Sequence, residues 1–157
     1  WIIAGDFNIT TSSYTIDTAM KNKSISGQTA ATLTMIESHI SDKGLLDAWS
    51  VARVDAADET HADHDDELFE GEEGATFDPR NNFLAAATSG TSNNRPQRYD
   101  RILVRPQDTL YTARFNQFGL PETIDAVQIV ASDHAGIRAL VSVRNVELEE
   151  RLPNGSQ

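Results

Sequence analysis

Two short stretches carry residue types suited to phosphate chemistry. Gly5-Asp6-Phe7-Asn8 sets a carboxylate and a carboxamide two residues apart after the apolar run Trp1-Ile2-Ile3-Ala4, and Ser132-Asp133-His134 sets a second carboxylate beside an imidazole. In an extended segment, residues two apart leave on the same face. A carboxylate and carboxamide paired in this way can hold a hard cation, or orient a water by accepting and donating hydrogen bonds. Gly-Asp-x-Asn and Asp-His are also ordinary turn and loop sequences, so neither stretch is specific alone. Asp100 adds a third element. Alternation over Tyr99–Arg105 places it with Ile102 and Val104 on one strand face, opposite Tyr99, Arg101 and Leu103, so its carboxylate is expected to turn inward at the strand's mouth. A buried carboxylate needs a partner, and a histidine ring N–H is a suitable one. Pairing with Arg98 or Arg101 is the alternative.

The elements that must position these groups follow from periodicity and punctuation. Residues 1–4 read as the end of a buried strand that enters a Gly-Asp turn. Ser12 or Ser13 caps a short helix through Ala19. Ala30, Leu33, Ile36 and Ile40 recur at helical spacing and predict one helix over 28–42, with Gly44 as its stop. Ala75-Thr76-Phe77 reads as a short strand, 79–97 as a long polar loop, and Tyr99–Arg105 and 109–117 as strands. Within 109–117, Tyr111, Ala113 and Phe115 oppose Thr112, Arg114 and Asn116. Gly136–Val143 is the last strand, with Ile137, Ala139, Val141 and Val143 on its inner face. The expected class is α/β or α+β.

The 157 residues are 39% hydrophobic, enough for one ordinary core. No stretch approaches a transmembrane helix, and no charged-then-apolar leader precedes the first element. Cysteine is absent, which excludes disulfide scaffolds and thiolate metal sites and favours an intracellular home, cytoplasm or nucleus. Because the chain begins at Trp1, it is expected to be part of a longer protein. The net charge of −11 is uneven: residues 55–73 hold ten acids and no Lys or Arg. That stretch reads as a flexible surface loop. Arg80, Arg95, Arg98, Arg101 and Arg105 reverse the balance downstream, as either a phosphate-facing surface or a solvated rim. His61-Ala62-Asp63-His64-Asp65-Asp66 reads as solvated loop, His39 as helix surface, and Trp49 as core.

Taken in order, Gly5-Asp6-Phe7-Asn8, Ala75-Thr76-Phe77-Asp78-Pro79 with Asn81-Asn82, Arg98-Tyr99-Asp100-Arg101-Ile102 and Ser132-Asp133-His134 resemble the endonuclease/exonuclease/phosphatase superfamily, the DNase I-like fold. The match spans nearly the whole chain and corresponds to the C-terminal half of such a domain, over residues 1–146, with 147–157 as a tail. The resemblance implies part of a four-layer α/β/β/α sandwich. It also implies a metal-dependent phosphodiesterase using Mg²⁺, with Mn²⁺ as an alternative. Asp6 is similar to the carboxylate that orients or deprotonates the attacking water and contributes to the metal. Asn8 is similar to the residue that positions that water or the scissile phosphate. Asp133 resembles a metal-linked carboxylate, His134 the donor to a phosphoryl oxygen, and Asp100 the partner that holds this histidine's tautomer. Asn82, Arg95 and Arg98 are the expected substrate contacts.

Among the branches, the 5′-tyrosyl-DNA phosphodiesterases look most similar, although Phe77 and Thr10 stand where that branch tends to have Trp and Arg. The implied partner is nucleic acid. A phosphorylated small molecule such as an inositol phosphate or lipid headgroup is the alternative, and an inactive binding module the third reading. The superfamily's principal metal ligand, a glutamate from the N-terminal half, has no counterpart here, so the 157 residues alone are expected to bind metal weakly and turn over little.

Overall fold

The computed structural model describes residues 1–55, 68–89, 94–106 and 110–143. The acidic stretch from 56 to 67, including its histidine–aspartate run, and the tail from 144 lie outside the described residues. The architecture of the described residues mixes helices with three small antiparallel sheets, none closed into a barrel. Among the described residues, no helix is long and apolar enough to cross a membrane.

Strand β1 (Ile2–Asp6) pairs antiparallel with β3 (Asp100–Val104), and β2 (Leu46–Asp47) takes the other edge of β3. The register sets Ile2 opposite Val104 and Asp6 opposite Asp100, so this sheet ends with two carboxylates side by side. The expectation that 1–4 is a buried strand ending in a Gly-Asp turn is corrected on two counts. The strand runs through Asp6, and it is exposed along its length, with Ile2 at 55%. It is an edge strand, and no described layer covers it. Strand β3 carries more of the core, but Arg101 and Leu103 are buried together with Val104, whereas Asp100 and Ile102, expected on the inward face, are only half-buried.

Helix α1 (Ser13–Lys21) starts where expected, since the Ser12 hydroxyl accepts the Thr15 N–H as N-cap. The single helix expected over 28–42 is two: α2 (Gly27–Thr34), capped by Ser26, and α3 (Ile36–Asp42). Met35 breaks them apart with ψ near 0° and an N–H shared between the Ala31 and Thr32 carbonyls. Thr32 and Thr34 also turn their hydroxyls back onto carbonyls one turn earlier, which competes with the regular ladder. Gly44 ends α3 in the left-handed region, as its position predicts, with Leu45 donating to Ile40 across it.

Helix α4 (Ala48–Asp55) packs against β3 and against β4 (Leu110–Phe118). Strand β4 pairs with β7 (Gly136–Val143), and a bulge between Thr112 and Arg114 breaks the expected alternation. Past the bulge the parity flips, so Thr112 is buried while Arg114 and Asn116 are exposed. On β7, Ile137, Ala139 and Val141 are half-buried as expected, but Val143 at the strand's end is 71% exposed. Helix α5 (Phe83–Thr88) and the hairpin β5 (Glu122–Ile124) with β6 (Val127–Ile129) complete the fold. Both were absent from the reading of the sequence.

Candidate active site

Strand β3 brings the separate motifs together. Asp6, Asp100 and His134 lie with one ligand atom each within 4.8 Å of one another. Like charges directly opposite on paired strands repel, so the Asp6–Asp100 end of the sheet favours a compensating positive group. His134 Nδ1 sits 2.7 Å from Asp100 Oδ2 and is its ring hydrogen-bond partner. Both side chains are about one-fifth exposed, at 23% and 19%. The ring lies against Phe77, at 5.2 Å between centroids, and Tyr99, at 6.0 Å. Asp100 thus pairs with the histidine and not with its strand neighbours. Arg98 and Arg101 instead reach Glu37 and Asp47.

Asp6 and Asn8 are together, but for a different reason from the one expected. Phe7 continues the ladder by donating to the Tyr99 carbonyl, and Asn8 then turns into the left-handed region at φ 48°. Its backbone N–H donates to Asp6 Oδ1 at 2.8 Å and its side-chain amide to Oδ2 at 2.9 Å. Asparagine tolerates that conformation better than most residues, which explains the residue type at this turn. Asp133 lies outside the 4.8 Å group. Its carboxylate accepts from the Thr88 and Ser132 hydroxyls. The Thr88 bond, followed by smaller contributions including the nearby His134, holds the Asp133 carboxyl below the usual aspartate range.

A cleft of about 480 Å³ is lined by Asn8, Tyr99, Asp133 and His134 together with Thr15, Thr18 and Ala19 of α1. Gln97 fixes that wall. Its side chain accepts from Thr10 at 2.5 Å and donates to Thr15 at 2.8 Å, while its backbone pairs with Phe77, which in turn bridges to His134. The Thr10 hydroxyl is therefore committed to the scaffold. Burial and the charge of Asp6 both push the Tyr99 phenol up.

The three expected substrate contacts separate. Arg95 lines the cleft, but its guanidinium is bonded to buried Glu72 and lies over the Phe69 ring at 4.6 Å. Arg98 is 5% exposed, ion-paired to Glu37, and stacked 4.4 Å over Trp49. Burial lowers its affinity for a proton and raises that of its partner Asp47, the ion pairs opposing both shifts. Asn82 is buried as the N-cap of α5, its oxygen accepting from Leu84 and Ala85 and its nitrogen donating to the Ser132 carbonyl. Asn82 and Arg98 thus belong to the scaffold, and Asn82 holds the loop that presents Asp133 and His134. The arginine run as a whole is neither a phosphate-facing surface nor a solvated rim, because Arg98 and Arg101 are interior.

Two contributors escaped the reading of the sequence. Thr76 donates to Asp100 Oδ2 at 2.6 Å, and Thr88 anchors Asp133. Neither has a local signal beyond a hydroxyl at the right place in a fold not yet known. No family model, curated protein or solved structure matches the chain.

Proposed function

We propose that this chain forms the C-terminal half of a DNase I-like α/β/β/α sandwich and that the full-length protein is a metal-dependent phosphodiesterase acting on nucleic acid. The observation that carries the reading is the convergence of Asp6, Asp100 and His134 from three separate segments, with His134 lining a cleft beside Asn8 and Asp133. A 5′-tyrosyl or otherwise blocked DNA end is the favoured substrate. The donor set suits a hard cation. Asp6 and Asp133 offer carboxylate oxygens whose hydrogen bonds leave lone pairs free, and two facing carboxylates at Asp6 and Asp100 call for positive charge.

On the resemblance Asp6 and Asp133 would hold Mg²⁺ or Mn²⁺, which when bound supplies charge neutralisation on a phosphate oxygen, although Asp133 lies outside the group formed by Asp6, Asp100 and His134. Asp6 also accepts a proton from the attacking water, and Asn8 orients that water. With a proton on both nitrogens, His134 donates from Nε2 to a phosphoryl oxygen as charge develops there, while Asp100 accepts from Nδ1 and holds the ring. Among the described residues no glutamate joins the group. Glu37 and Glu72 are paired to arginines elsewhere. On the resemblance, the principal metal carboxylate is a glutamate that the described residues do not supply.

The test is an assay of the full-length protein with Mg²⁺ on 5′-tyrosyl DNA, plain single strands and inositol phosphates. Turnover on the DNA substrates, abolished by EDTA and restored by Mg²⁺, is the expected result. Turnover confined to inositol phosphates would move the reading to a small-molecule phosphatase. Equal, EDTA-insensitive rates on all three would reject it.

A further inference from the structure

We infer that Thr76 is a positioning residue of this centre: its hydroxyl fixes the orientation of Asp100 and, through it, the tautomer in which His134 faces the cleft. Thr76 is 4% exposed and makes no contact with the cleft; it sits behind the carboxylate. Its hydroxyl does two things at once. It accepts the Asp100 backbone N–H at 3.1 Å and donates to Asp100 Oδ2 at 2.6 Å. The first bond occupies a lone pair on the hydroxyl and leaves its single proton for the carboxylate. Oδ2 then receives two hydrogen bonds, from Thr76 and from His134 Nδ1.

An ionised carboxylate only accepts, so Nδ1 carries a proton toward Asp100, and Nε2 is left for the cleft, where it donates only when it carries the second proton. The backbone of Thr76 reinforces the arrangement, because its carbonyl takes the Ala135 N–H at 2.7 Å, directly after His134. One residue therefore grips both members of the pair, the carboxylate by its side chain and the histidine's strand entrance by its main chain.

The geometric part stands on these bonds alone, whereas the consequence for turnover rests on the phosphodiesterase reading. Removing an outer hydrogen-bond partner of a catalytic group commonly costs roughly 10–100-fold in activity. Thr76→Val keeps the branched shape and deletes the hydroxyl, while Thr76→Ser keeps the hydroxyl and deletes the methyl. Long-range ¹H–¹⁵N spectra of the protein labelled at histidine report the tautomer of His134 directly. The wild type and Thr76→Ser should show the proton on Nδ1, and Thr76→Val should lose that form. In the full-length protein, Thr76→Val should lower kcat by roughly 10–100-fold with KM little changed, and Thr76→Ser should stay near wild type.

A Thr76→Val protein that is folded and retains the wild-type Nδ1–H signal would overturn the inference. So would a Thr76→Ser protein that loses the signal as Thr76→Val does. Should Thr76→Val fail to fold, Thr76→Ala against Thr76→Ser makes the same comparison. The expected spectra in a wild type that cleaves no phosphodiester would leave Thr76 as the residue that sets the histidine and would remove the phosphodiesterase reading instead.

Discussion

His134→Ala should lower kcat/KM of the full-length protein on a phosphodiester by roughly 10²–10⁴-fold, with little change in the urea unfolding midpoint. The size follows from its place. Among the groups that line the cleft, His134 is the one with a ring nitrogen held by a carboxylate, so the opposite nitrogen is already aimed and donates once the ring is doubly protonated. A preorganised donor to the charge that builds on a phosphoryl oxygen is worth about 3–4 kcal/mol in the transition state. In the ground state its contribution is small, because the side chain is 23% exposed and has one hydrogen-bonded side-chain partner. The loss should therefore appear in kcat more than in KM, since uniform binding is not what is removed. Near-normal turnover would return His134 to the status of a loop residue.

The largest expected effect on stability lies behind the cleft, at Glu72. Its carboxylate is 1% exposed, and each oxygen is used twice. Oε1 accepts from the Ser12 hydroxyl at 2.8 Å and Arg95 Nε at 3.0 Å, and Oε2 accepts from the Phe69 N–H at 3.0 Å and the Arg95 guanidinium. Ser12 is also the cap of α1, and Arg95 lies over Phe69 and Tyr14, so one carboxylate ties the start of the helix to the 69–72 turn and to the cleft wall. Glu72→Ala removes the buried carboxylate shared by Arg95, Ser12 and the Phe69 N–H and should cost about 3–5 kcal/mol, a large share of an ordinary domain's stability.

The pH dependence has a definite sign. Burial alone would raise the Glu72 carboxyl, but the bonds from Arg95, Phe69 and Ser12 and the Arg95 charge outweigh it and hold the group below the ordinary glutamate range. A carboxyl lowered on folding stabilises fully above its unfolded value and loses that contribution as pH falls through the folded one. The gap between wild type and Glu72→Ala in urea melts should thus be widest near neutrality and close in acid. A gap independent of pH would mean that the ion pair contributes nothing.

Much of the local structure was legible because it depends on neighbours in sequence. The Ser12 cap, the Gly44 stop, and strands β3 and β7 all appear where punctuation and alternation place them. The Asp100–His134 pairing was also readable, since a carboxylate at a strand's mouth demands a donor. What failed to show depends on contacts far along the chain. Arg98 and Arg101 look like surface charges until Glu37 and Asp47, more than 50 residues earlier, meet them inside. Asn82 looked like a substrate contact in a polar loop because the Phe-Leu-Ala-Ala-Ala-Thr run it caps is only 6 residues long. The β5–β6 turn at Asp125-Ala126 has both residues at positive φ without the Asn-Gly or Asp-Gly pair that announces such a turn. Asp6 and Asn8 were paired correctly on an assumption of extended backbone that Asn8 breaks.

The central claim, direct in-line attack by a water that Asp6 and Asn8 position opposite His134, is tested most directly by stereochemistry at phosphorus. Hydrolysis by the full-length protein in Mg²⁺ of a phosphorothioate diester of known configuration, carried out in ¹⁸O-labelled water, reports the number of displacements. A single in-line displacement inverts the phosphorus, and inversion is the predicted result. Net retention would require a covalent intermediate on the protein and would contradict the account, as would the absence of any Mg²⁺-dependent hydrolysis.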